Sequence, residues 1–195
     1  MNSANLVVAV AIASLLGSAA ALGEMSANAD IQSSGKGYNG VVMINQAVGD
    51  GQQQVNVRAL AAGDNAQARI KVEQIRDMIL EEQIQLDANA RIGGGAFSQG
   101  DGVLGINQSA GIGNQQINAF RIEVGSMPES LDDSGLAQSV APSSINSGAV
   151  APQSGQRQVS IDDQAFADSR GVVQLNQSAG VGNRMVNNLG IRIMD

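Results

Sequence analysis

The sequence predicts an all-β chain of stacked strand-turn-strand repeats, a β-solenoid or a set of cross-β arches, with a helical first linker and a disordered second linker. Three observations point there. A 17-residue phrase is written three times, its apolar and amide residues alternate with the period of a strand, and each copy carries two closely spaced glycines where the strand must reverse.

The copies read GVVMINQAVGDGQQQVN from Gly40, GVLGINQSAGIGNQQIN from Gly102 and GVVQLNQSAGVGNRMVN from Gly171. In an extended strand Leu104, Ile106, Gln108 and Ala110 share one side, and Val103, Gly105, Asn107 and Ser109 the other. Gly49 and Gly51, Gly111 and Gly113, and Gly180 and Gly182 are the residues most able to take positive φ, so the chain turns there. From sequence the two strands of a copy form either a hydrogen-bonded hairpin or an arch whose strands belong to facing sheets. A two-stranded unit is marginal in water and cannot bury its own apolar face. Stacked in register, each amide meets its own kind one strand spacing away and satisfies both donor and acceptor. The candidate ladder residues are Asn45, Gln46 and Asn56, then Asn107, Gln108 and Asn118, then Asn176, Gln177 and Asn187. The apolar core expected beside them is Val42, Ile44 and Val55, with Leu104, Ile106 and Ile117, and Val173, Leu175 and Val186.

In chain order, residues 1–29 read as a signal peptide. Leu6 to Leu16 is apolar, too short for a comfortable membrane span, and small-residue cleavage patterns end at Gly23 and at Ala29. Repeat 1 occupies 30–61. Residues 62–88 form the first linker, where Ala68, Val72, Ile75 and Ile79 follow a candidate Asp64 cap and predict a helix over 65–82 covering an apolar face. Ile84, Leu86, Ala88, Ala90 and Ile92 then alternate like a strand. Repeat 2 spans 89–122 and repeat 3 spans 158–195; NARIGGGAF and QVSIDDQAF extend their likeness upstream to Phe97 and Phe166. Between them, 123–157 holds Pro128, Pro142 and Pro152 amid Ser, Gly and Ala, the composition of a disordered spacer.

Much chemistry is excluded. With no Cys and no His, thiolate and imidazole chemistry are absent, and Asp132 and Asp133 have no partner base. Asp50, Asp101, Asp162 and Asp163 do not recur across copies as calcium ligands would. The GxG pairs lack the third glycine of a dinucleotide fingerprint. A net charge of -7 and scarce aromatics speak against nucleic acid. No enzyme activity, cofactor, metal or small-molecule substrate is expected.

The motif [IL]NQ[SA][AV]GxG in triplicate resembles the repeats of secreted bacterial functional amyloids: curlin repeats and, more closely, Fap amyloid subunits, with three imperfect repeats separated by dissimilar linkers behind a leader. The likeness covers the leader and the three copies, somewhat under half of the chain. The resemblance implies a subunit exported across the outer membrane that polymerises, or nucleates polymerisation, into extracellular fibrils supporting biofilm and adhesion. Implied partners are the chain itself, related repeat subunits and an outer-membrane secretion apparatus. The chain lacks a C-terminal Cys pair, which leaves major, minor, nucleating and anchoring roles open. A monomeric β-solenoid adhesin or binding module is the alternative.

Overall fold

The computed structural model describes residues 25–64, 67–76, 85–125, 136–140 and 155–194. Among them are strands and no helix. The first copy contributes β1 (Met25–Gln32), β2 (Asn39–Val48) and β3 (Gln53–Ala62), followed by β4 (Val72–Arg76). The second contributes β5 (Leu86–Gly93), β6 (Asp101–Ile112) and β7 (Gln115–Val124), followed by β8 (Leu136–Val140). The third contributes β9 (Arg157–Ile161), β10 (Arg170–Val181) and β11 (Arg184–Ile193).

All pairing among the described residues is parallel, and each three-stranded sheet takes one strand from each copy with copy two in the middle: β1-β5-β9, β2-β6-β10 and β3-β7-β11. Consecutive strands of one copy fall in different sheets, so each copy is an arch and not a hairpin. Parallel neighbours need a long crossover, and the two linkers supply it. The pairing sets like on like. Asn45, Asn107 and Asn176 share a row, as do Gln46, Gln108 and Gln177, and Asn56, Asn118 and Asn187.

The β2-β6-β10 sheet faces the other two. On one side Gln108 Nε2 donates to Ala29 O and Arg91 O of the β1-β5-β9 sheet; on the other Asn107 Nδ2 donates to Val55 O of the β3-β7-β11 sheet. The first of these faces is apolar. Ala27, Ala29, Leu86, Ala88, Ala90, Ala110 and Ile112 form one cluster; Ile31, Tyr38, Ile92, Ala96, Phe97, Leu104 and Ile106 form another, with Val42, Ile44, Phe166 and Leu175 packed on it. A core of alanine and branched aliphatics needs few large rings, which is how a chain with three Phe, one Tyr and no Trp fills its interior.

The first linker departs from the expected helix over 65–82. Residues 67–71 are irregular, Val72–Arg76 is a strand, and 65–66 and 77–84 lie outside the described residues. The burial has a period of two: Gln74 and Arg76 are buried while Ile75, assigned to the helix's apolar face, is 57% exposed. Three- and four-residue apolar spacing fits a helix, but pairing with β8 and the anchoring of Gln74 win. The spacer of 123–157 also departs in part, because Leu136–Val140 is β8 and pairs in parallel with β4. Its three prolines, and residues 1–24 of the leader read over 1–29, lie outside the described residues, while residues 25–29 of that leader are the start of β1.

Candidate self-assembly site

Alternation along β6 sends Leu104 and Ile106 into the apolar cluster and Asn107 and Ser109 toward the facing β3-β7-β11 sheet. Asn107 Nδ2 donates to Asn45 Oδ1 at 3.0 Å, and Asn176 Nδ2 to Asn107 Oδ1 at 3.0 Å. A second column lies against it, with Asn118 Nδ2 donating to Asn56 Oδ1 at 2.9 Å and Asn187 Nδ2 to Asn118 Oδ1 at 3.0 Å. The columns are cross-linked: Asn56 Nδ2 reaches Asn45 Oδ1, Asn176 Nδ2 reaches Asn118 Oδ1, and Asn187 Nδ2 reaches Asn176 Oδ1. The glutamine column faces the other sheet, Gln108 Nε2 donating to Gln46 Oε1 and Gln177 Nε2 to Gln108 Oε1, each at 2.8 Å. Asn107, Gln108 and Asn118 are fully buried, so each amide depends on these partners.

The six turn glycines all have positive φ, from 61° at Gly51 to 128° at Gly180. In one column the need is also steric. A Cβ on Gly49 or Gly111 would collide with the carbonyl oxygen of the next copy's glycine, Gly111 or Gly180.

Of the nine expected apolar residues, Val42, Ile44, Leu104, Ile106 and Leu175 meet in one cluster. Val55, Ile117 and Val186 lie elsewhere, on the side of their sheet from which Gln115 Nε2 reaches Gln74 O. Ile117 is 0% exposed, whereas Val186 is 46% and Val173 43% exposed at the open edge of copy three.

Sequence reasoning missed three parts. The β1-β5-β9 sheet was visible only as a likeness upstream of copies two and three; the pairing Asn28↔Asn89 and Ile31↔Ile92 was its signal in copy one. Gln54 and Gln116 form another amide column, Gln54 Nε2 donating to Gln116 Oε1 at 2.8 Å and Gln116 Nε2 to Ser178 Oγ at 3.0 Å; Met185 in copy three hid it. Arg76, buried on β4, donates from Nη1 to Gly113 O, and both burial and the nearby Arg184 lower its pKa from the usual guanidinium value.

Among the described residues no group of three or more acidic side chains could hold a metal ion. The arrangement repeats one hydrogen-bonding unit along an axis, and among the described residues the outer layers leave strand edges unpaired.

A family model described as the functional amyloid protein FapB/FapC family matches residues 9–194. No solved structure matches the chain. The chain belongs to the functional amyloid protein FapB/FapC family.

Proposed function

We propose that this chain is an exported structural subunit that self-assembles, or nucleates assembly, into extracellular amyloid fibrils supporting biofilm and adhesion. The observation that carries the reading is the parallel, in-register pairing of three copies, with both outer edges left open among the described residues. Such an edge presents a row of unpaired N–H and C=O groups and templates another strand. No proline lies in β2, β3, β10 or β11 to blunt it. The stacked arches continue from subunit to subunit as a β-solenoid, and the nine Asn and Gln residues of the three columns serve as the assembly ladder. Export follows from the apolar leader, and the outer-membrane apparatus and related subunits are partners by family.

Thioflavin fluorescence, electron microscopy and fibre diffraction of the purified mature chain test this. The expected result is fibrils with a meridional reflection near about 4.7 Å. A chain that stays monomeric at high concentration and melts cooperatively would favour the monomeric adhesin instead.

A further inference from the structure

The copies are alike, yet the two ends of the layered chain differ. We propose that subunits join head to tail, the β9, β10 and β11 layer of one copy receiving the β1, β2 and β3 layer of the next. The register continues the one within the chain: Gly40 on Gly171, Asn45 on Asn176, Gln46 on Gln177 and Gly49 on Gly180. This rests on the self-assembly reading and specifies the partner face of each end.

Amide polarity is the first support. In the Asn45, Asn56 and Gln46 columns each bond between equivalent side chains runs from the amide nitrogen of the later copy to the amide oxygen of the earlier one. The first layer therefore ends in donors and the third in acceptors, which fit each other and not their own kind. Gln177 Oε1 is shut off from water with no hydrogen-bond partner, whereas Gln46 Oε1 and Gln108 Oε1 each accept from the next glutamine. A buried acceptor left unmatched is costly, and the Nε2 of an incoming Gln46 would meet it. That Nε2 donates to Asp30 O, while the Nε2 of Gln108 and of Gln177 also serves a neighbouring glutamine.

Sterics give the second support. A Cβ on Gly102 or Gly171 would strike the carbonyl oxygen of Gly40 or Gly102, toward the first layer. A Cβ on Gly49 or Gly111 would strike Gly111 O or Gly180 O, toward the third. Each end thus keeps one glycine whose missing Cβ points out of the chain. Gly40 has nothing within 4 Å, and Gly180 meets the Arg157 side chain at 3.0 Å. Across the proposed seam they would face Gly171 O and Gly49 O of the neighbouring subunits.

Charge is compatible as well. By the pairing register, Asp30 would face Ser160, Arg58 would face Leu189, Asn39 would face Arg170 and Ala61 would face Arg192, with no like charges opposed.

The test uses short wild-type fibres and single-fibre two-colour microscopy with full-length Gly40→Ala and Gly180→Ala. Gly180→Ala keeps a native first layer, so it should attach at one fibre end and stop growth there. Gly40→Ala should do the same at the opposite end, and the two together should slow elongation at least tenfold. Gly37→Ala, at a φ of 67° with open space around its Cβ, should extend both ends at the wild-type rate. Both variants capping the same end, neither attaching, growth continuing at both ends in their presence, or Gly37→Ala capping as well would each overturn the seam while wild-type fibres uphold self-assembly. A wild-type chain that forms no fibres would remove the self-assembly reading itself.

Discussion

Phe97 and Phe166 stack with ring centroids 5.7 Å apart and planes 17° from parallel, although they stand at equivalent corners of two different copies. Both sit at positive φ, 57° and 61°, as do Gln99 and Asp168 two residues on, so the whole corner repeats as a unit. Phe97 is fully buried, between the Phe166 ring and the backbone of Gly35. Phe97→Ala should destabilise the folded or assembled chain by about 3–5 kcal/mol, the usual cost of deleting a buried ring. A shift in the guanidinium midpoint for dissolving the assembled chain reads this. A change under about 1 kcal/mol would place the ring outside the core.

Asn107→Ala removes two donated hydrogen bonds and the acceptor of Asn176 from a fully buried site. The expected loss is about 1–3 kcal/mol. Asn188→Ala, at an exposed position paired with Ala119, should stay within about 0.5 kcal/mol. Equal effects at the two sites would show that side-chain amides in general, and not the column, matter.

The strand β4 is held by Gln74, whose Nε2 donates to Gln53 O and Gln116 O. Gln74→Ala should speed amide exchange across Val72–Arg76 by about fivefold or more while leaving β6 and β7 unchanged, since a loss of about 1 kcal/mol corresponds to that factor. Helical exchange periodicity in this segment would contradict the strand.

Ala27 and Ala29 are buried in the apolar cluster, and β1 begins at Met25. Cleavage at the second small-residue pattern, after Ala29, would remove five of the eight residues of β1. Of the two patterns the fold therefore favours the one ending at Gly23. Intact-mass analysis of the chain recovered from assembled fibrils should find Met25 retained. A chain beginning at Asp30 should be less stable than one beginning at Glu24.

Much of this architecture was legible in the sequence because the copies are alike where they touch. Asn45, Gln46 and the turn glycines recur at the same places, and a period of two gave the strands and their faces. The apolar row of Val55, Ile117 and Val186 shows the limit: alternation says which residues share a side but not which sheet that side meets. The linker failed for a different reason. Ala68, Val72 and Ile75 satisfy helical spacing, but strand β4 is set by contacts with β8 and with the backbone of β3 and β7, all far away in sequence. The arch, too, depends on neighbours. Nothing within a 17-residue copy tells whether its second strand pairs with its first or with its counterpart in the next copy.

One chain fills three successive layers, each copy pairing with the next. Mass per length of assembled fibrils, from scanning transmission electron microscopy, distinguishes this layering from the stacking of identical copies. Three strand spacings predict one subunit per about 14 Å of protofilament. One subunit per about 4.8 Å would mean that each copy lies on the identical copy of another chain and that no chain spans three layers of the fibril.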